Sequence, residues 1–394
     1  MIGQHARQTF QQVQGAGAPA DPIPETERPL IHRGARRPKV RVLPAVGDSV
    51  RDEYVYLKRD VKNAPRVYRR VPNSQKKTIN INFGHVLFGI RLERVPHSKT
   101  PLYREPPSED GIRHMVAIKK VSKNKVRNYL ERGGHENPYT AIHRMQTIGD
   151  DIHVLSCIEA LEDDKYLYTI MRYCEGRSIM DLVPWHSTAG VNEQAARECI
   201  HKVSQNIHYL QSLGIVHHDL SPDNILSLDG RLVLVDLAMS LRVPNGPDNR
   251  CLLTPQGAYG KFPYMPPEVF VSGGPFDGYS MDVWSCGCIL YNLLTSYHLY
   301  KLPHPSDVMF RYFLMAGALS NEPINERTVE VMADVFHTRQ DQEDRQNLLS
   351  RAMAHLHLSS ESMDLLQQTL QLRPHQRNTL AQILESTWMT EGPL

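Results

Sequence analysis

One stretch, IVHHDLSPDNIL at Ile215–Leu226, constrains the fold more than any other in the chain. Apolar residues of strand character enclose a polar hexad. Apolar strands seldom do so, because a buried polar group costs free energy unless it is partnered. The sequence around this stretch changes character along the chain. Thr78 to Val95 alternates and is rich in β-branched and aromatic residues, which predicts two strands around Gly84–Gly89. A polar, proline-containing insertion follows over 97–114, and then the strand MVAIKKV. Residues 137–149 predict a short helix with Asn137 as N-cap and Pro138 at its first position. KYLYTIMRYC predicts another strand. Beyond it the pattern turns helical over 191–213, 280–296 and 361–389, interrupted by a hairpin turning at Asp229-Gly230. Strands with one helix, followed mostly by helices, predict two lobes of different character.

With 394 residues, 41% hydrophobic and 22% charged, the chain has an ordinary soluble composition and enough length for one large or two ordinary domains. Residues 1–79 carry 16 Lys and Arg against 7 Asp and Glu, and the remainder 29 against 36. A basic tail thus precedes a mildly acidic body. Residues 1–72 contain eight prolines and no sustained period. The extension 1–74 is therefore expected to be disordered, and removal of 1–72 to leave the thermal transition in place. Its cluster RGARRPKVR is either a solvated run or a contact for an acidic partner, and nucleic acid is not expected there. The six cysteines form no CxxC pair, which predicts free thiols in a reducing compartment, the cytoplasm or alternatively the nucleus. No apolar run approaches the roughly 18–20 residues of a membrane span.

Five further pieces stand in order around the hexad. VAIK (116–119) carries Lys119, DLA (236–238) places Asp236 at the end of a strand, and PPE (266–268) carries Glu268. DVWSCG (282–287) opens a helix, and RPHQRNTL supplies Arg377. Phosphoryl transfer needs positioning and charge neutralisation more than covalent help. An amine on a rigid strand, Lys119, can hold phosphates. Asp236 and Asn224 offer hard oxygen ligands suited to Mg2+. Asp219 can orient a hydroxyl and accept its proton.

In this order and with these separations, the chain from about Thr78 to Met389 resembles a eukaryotic-type protein kinase domain. VAIK, HHDLSPDN, DLA and PPE stand where that family has VAIK, HRDLxxxN, DFG and APE. The resemblance implies an α+β, two-lobed fold over 75–392. A small antiparallel sheet with one helix would span about 75–171, a hinge 172–177, and a mostly helical lobe 178–392. It implies ATP and Mg2+ as cofactors and a protein as substrate. Gly84, Val86, Phe88, Gly89, Ala117, Lys119, Met171, Tyr173 and Cys174 would bind the nucleotide, and Asn224 and Asp236 the metal. Asp219, Lys119, Ser221 and Lys261 would form the catalytic set, and Arg377 would pair with Glu268.

Several positions depart from the family pattern. GHVLFG, read as the phosphate loop GxGxxG, has Val86 in place of the middle glycine, which should hold phosphate away from the backbone. The glutamate that partners the third-strand lysine falls at Ala141, and Pro138–Gly149 holds no acid. Lys119 is thus expected to stand unpaired unless Glu131 or Glu136 reaches it. Leu237 and Ala238 replace Phe and Gly of DFG. His218 replaces an arginine that receives an activation-loop phosphate, which argues against activation through Thr254 or Tyr259. Ser221 replaces the lysine two residues after the catalytic aspartate, and Lys261 stands where a threonine would hydrogen-bond near it. Hydroxyl and amine are exchanged. Either Lys261 carries its ammonium to the usual site, with Ser221 accepting a bond, or it points to solvent. Because Lys119, Asp219, Asn224 and Asp236 all survive, an active Ser/Thr kinase is the reading. The alternative is a pseudokinase, a binding or scaffold module with weak or no phosphotransfer.

Overall fold

The alternating pattern of the N-terminal half does become a sheet, with more strands than the pattern predicts. The computed structural model describes residues 28–33, 39–43, 51–56, 66–70, 79–98, 102–105, 114–186, 190–243, 252–253, 260–271, 275–313 and 358–390. They fall into two units, Pro19–Gly176 with Ser227–Arg231, and Arg177–Leu226 with Leu232–Leu394. The fold is α+β, with an antiparallel-type sheet in the N-terminal part and helices in the C-terminal part. Thr254 and Tyr259 lie outside the described residues.

Among the described residues, ten strands build the first unit. They are β1 (His32–Arg33), β2 (Lys39–Leu43), β3 (Arg51–Tyr56), β4 (Arg66–Arg70), β5 (Ile79–Ile81), β6 (Gly84–Arg94), β7 (Leu102–Arg104), β8 (Met115–Ser122), β9 (Cys157–Glu162) and β10 (Tyr166–Arg172). Their order is β1-β9-β10-β8-β6-β4-β3-β2-β7, with β5 on β6, and β7 also pairs with β6. Strands β6, β4, β3, β2 and β7 therefore close on themselves, which leaves fewer open edges to blunt. Helices α1 (Lys123–Glu131) and α2 (Pro138–Ile148) follow β8. The start of α2 is as predicted: the Asn137 side chain accepts from the Tyr139 N–H at 3.0 Å, with Pro138 at the first position. The turn Asp229-Gly230 also forms as predicted, with φ of 50° and 76°.

Two expectations need correction in this unit. The tail 1–74 is not wholly disordered, since β1 to β4 all belong to the sheet. Val67 and Tyr68 of β4 are 0% and 1% exposed, and Tyr68 packs with Leu87, Val116, Ile118, Leu161, Tyr168 and Ile170. Composition missed this because the strands are short, and the sheet that holds β1, β2 and β4 is completed by β9, β7 and β6 from beyond the segment. Removing residues 1–72 is now expected to lower the melting temperature by at least about 5 °C, since two fully buried side chains and a paired strand are lost. A truncated chain that melts with the intact one would show β4 to be dispensable.

The second correction concerns Gly84–Gly89, which is not a loop. Residues 84 to 90 pair continuously with β8, from Gly84 opposite Val121 to Ile90 opposite Met115. The reversal falls earlier, at Asn82-Phe83, between Ile81 and Gly84. Both glycines serve close strand approach. A Cβ at Gly84 would lie 2.0 Å from the Lys120 carbonyl, and one at Gly89 would meet the Arg69 carbonyl and Ile118 Cδ1, each at 2.9 Å.

The second unit is built on α3 (Glu193–Ser212) and α4 (Gly278–Thr295). Almost every residue of α4 is buried, as expected of a helix that is apolar on all sides. The predicted helix 361–389 is broken into α5 (Ser360–Thr369), a turn around Pro374, and two short helices, Leu380–Leu384 and Thr387–Thr390. Proline at 374 and a capping box at Thr379 end one helix and start the next. Among the described residues, no helix is long and apolar enough to cross a membrane.

Candidate active site

Strand register sorts the predicted nucleotide residues of the first unit. Val86 pairs with Lys119 and Lys119 with Thr169, while Phe88 pairs with Ala117 and Ala117 with Met171. Directly paired residues share a face, and neighbours along a strand alternate. Val86, Phe88, Ala117, Lys119 and Met171 thus share one face, and each is half-buried. The opposite face carries the buried Leu87, Val116, Ile118 and Ile170. Gly89 belongs by parity to that second face, where an added Cβ would meet Ile118 and the Arg69 carbonyl. Beyond β10, the Tyr173 N–H donates to the Met115 carbonyl at 3.2 Å, and its ring meets Phe88 edge-on at 5.0 Å. Burial pushes the neighbouring Cys174 thiol up to about 12, which keeps it protonated and unreactive at neutral pH.

Ala141, where the family's glutamate was expected, is 5% exposed on α2. Glu136, just before α2, accepts from the Asn82 side-chain amide at 2.7 Å. The expectation that Lys119 stands unpaired is corrected, because Lys119 does engage a neighbour.

In the second unit the hexad is held from below. Asp282, fully buried on α4, accepts the backbone N–H groups of His217 at 2.8 Å and His218 at 3.2 Å. Burial raises its carboxyl to about 7, against those two bonds. His217 is also buried, which lowers its imidazole to about 4, and its Nε2 lies 3.1 Å from the Val235 carbonyl. That contact ties the loop to the strand leading to Asp236. His218 adopts φ 66° and stacks on Phe276, with ring centroids 5.8 Å apart. At 1% exposure it is packing material and not a surface cation.

Around Asp219 the polar groups converge. Asn224 Nδ2 donates to the Asp219 carbonyl at 2.8 Å and to its Oδ2 at 3.1 Å. The Lys261 N–H donates to Asp219 Oδ1 at 3.1 Å. Lys261 Nζ donates to Ser221 Oγ at 2.7 Å and to Asp223 Oδ2 at 3.0 Å. Of the two placements open to Lys261, this is the one in which its ammonium reaches Ser221. Asp223 was overlooked in the sequence, although it lies in the same hexad and a partly buried ammonium calls for a counter-charge. Burial raises Asp219 to about 6, with Lys261 opposing and the Asp236 carboxylate adding to the rise. The Asp236 carboxylate and the amide oxygen of Asn224 are hard oxygen donors of the kind that suit a divalent cation.

Glu268 and Arg377 meet as a buried bidentate pair, with Nη1 to Oε1 at 2.7 Å and Nη2 to Oε2 at 2.8 Å. This pairing anchors the segment that ends in PPE.

The family model described as protein kinase domain matches residues 108–389. Sperm motility kinase 2B of Mus musculus is 26% identical over 257 residues, covering 65% of this chain and 44% of that protein. Probable serine/threonine-protein kinase KCC4 of Saccharomyces cerevisiae is 29% identical over 280 residues, 69% of this chain and 23% of that protein. Ribosomal protein S6 kinase alpha-6 of Mus musculus is 27% identical over 282 residues, 70% of this chain and 30% of that protein. The chain spans less than half the length of these relatives.

Proposed function

The chain belongs to the protein kinase domain family, and on that premise we propose that it transfers the γ-phosphoryl group of ATP to a serine or threonine hydroxyl of a protein substrate. One observation carries the reading: the Lys261 ammonium lies at Ser221, 2.7 Å from its hydroxyl. The family's lysine two residues after the catalytic aspartate is missing, yet a cation stands beside its position. That placement supports phosphotransfer, since it leaves a cation where the reaction needs charge neutralised.

In the proposed reaction the substrate hydroxyl gives its proton to Asp219 as its oxygen bonds to the γ-phosphorus. The bond from that phosphorus to the bridging oxygen breaks, and ADP leaves. Asn224 and Asp236 would hold Mg2+, which when bound neutralises phosphate charge. Lys119 holds the nucleotide phosphates, while Val86, Ala117 and Met171 form an apolar surface for the base. Lys261 offsets charge on the transferring group, its direction set by Ser221 and Asp223. Ser/Thr selectivity draws support from one relative described as a probable serine/threonine-protein kinase and from DLSPDN, which lacks the tyrosine-kinase pattern.

Because Asp219 must be ionised to accept the proton, its pKa of about 6 sets the acid limb. The rate is expected to rise with pH through about 6. Lys261→Ala removes a charge that favours the carboxylate, so the limb should move to higher pH. A limb that stays in place would separate Lys261 from Asp219.

The deciding experiment combines Mg·ATP-induced thermal stabilisation with phosphate transfer from labelled ATP to Ser/Thr peptides, in wild type and Lys119→Ala. Stabilisation and transfer, both lost in the variant, are expected. A reversal at Asn82-Phe83, without glycine at its tip, favours the second reading, a pseudokinase module. Nucleotide binding without transfer would establish that alternative.

A further inference from the structure

The reversal at Asn82-Phe83 is anchored on three sides. Phe83 is 6% exposed, and its ring meets that of Tyr129 on α1 at 5.2 Å. The Tyr129 ring also packs on Gly134, where even a Cβ would come within 2.2 Å of the ring. The Phe83 carbonyl accepts from the Ser122 N–H at 2.9 Å, at the cap of α1. Asn82 Nδ2 donates to Glu136 at 2.7 Å, one residue before the N-cap of α2. The tip of the β5–β6 hairpin is therefore seated in a socket formed by the end of β8, α1 and the segment entering α2. Main-chain pairing continues from the socket up to the row in which Ile79, Val86 and Lys119 stand side by side.

A flexible glycine loop could lift and close over phosphates. This hairpin has its ladder paired and its aromatic tip buried, so lifting it would expose Phe83 and break the Asn82–Glu136 bond. We propose that Asn82 and Phe83 are positioning residues for the nucleotide, clasping the hairpin to the entry of α2 so that its place beside Lys119 is set before the nucleotide arrives. The proposal rests on the nucleotide-binding reading above. It assigns to a buried phenylalanine and an exposed asparagine the task that loop closure would otherwise perform.

Amide hydrogen exchange over Ile79–Val86 in the full chain, with and without Mg2+ and a non-hydrolysable ATP analogue, tests it. The hairpin amides are expected to be protected already in the free protein, with the analogue changing their exchange by less than about twofold. Asn82→Ala, a surface change that spares the core, and Phe83→Ala should each speed exchange there at least about tenfold. Both should raise KM for ATP about five- to tenfold and leave kcat within about twofold, a split that general destabilisation does not produce. Strong new protection of the wild-type hairpin on adding the analogue would overturn the proposal and make the hairpin a closing lid. So would an unchanged KM in both variants. A wild-type chain that binds no nucleotide defeats the functional reading and the nucleotide role with it. Fast hairpin exchange in a chain that does bind nucleotide defeats the clasp alone.

Discussion

Lys261→Ala is expected to lower kcat about 100-fold, the loss typical of removing a group that stabilises charge developing in the transition state. The reason is local. Ser221 and Asp223 accept two of the three ammonium protons of Lys261, and the third remains for a phosphate oxygen. The backbone N–H of the same residue donates to Asp219, so the segment that carries this ammonium also braces the proposed base. The double change Ser221→Lys with Lys261→Thr returns amine and hydroxyl to the arrangement usual in the family, and it should recover much of the lost rate. Asp223→Asn keeps the side chain's size but removes its charge, and a smaller loss is expected because Ser221 still orients the ammonium. The measurement is single-turnover transfer at saturating Mg·ATP. An unaltered kcat in Lys261→Ala would sink the idea that this lysine substitutes for the missing one.

Arg377→Ala should destabilise the second unit by about 3–5 kcal/mol, the usual cost of leaving one member of a buried ion pair without its partner. Glu268 is 8% exposed, and its two carboxylate oxygens take both terminal nitrogens of Arg377. The guanidinium also donates to the Ser280 carbonyl at 3.1 Å and, through Nε, to the Gln371 carbonyl at 2.7 Å. It lies 4.6 Å from the centre of the Trp284 ring. One side chain thus joins the PPE segment, α4 and the region after α5. The melting temperature should fall by about 10 °C. Replacing both members together, as Glu268→Leu with Arg377→Met, should cost less than Arg377→Ala alone, since no buried charge is stranded. A fall of less than about 2 °C for Arg377→Ala would show that the pair contributes little.

Features of the site that depend on neighbours in sequence were legible from the sequence. Asn137 and Pro138 start α2 because capping involves only the next few residues. Asp229-Gly230 makes its turn because two positive φ angles are a local demand. The hexad could be picked out because its residue types and spacing suit phosphoryl transfer whatever surrounds them. The exchange of amine and hydroxyl at Lys261 and Ser221 was also visible as a pattern, across 40 residues. Whether that lysine reached the serine or solvent was not, since the answer depends on where a separate segment comes to rest.

Other features were settled only by tertiary structure. Gly84 and Gly89 looked like a phosphate loop, but a glycine serves a turn and a close strand contact equally well, and only the ladder with β8 tells them apart. The true reversal, Asn82-Phe83, carried only the weak turn signal of one asparagine, and its anchors Tyr129, Ser122 and Glu136 all lie at least 39 residues away. Strands β1 to β4 were hidden in a proline-rich, basic segment because each is short, and β1, β2 and β4 are held in the sheet by β9, β7 and β6. A short strand in isolation has no partner for its main chain, and those partners are supplied by strands elsewhere in the sheet. The sequence by itself determined which residues are chemically suited to phosphoryl transfer, because that suitability resides in the side chains. Which of them stand together was decided by long-range strand pairing and burial, because contacts between distant segments exist only once the chain has folded.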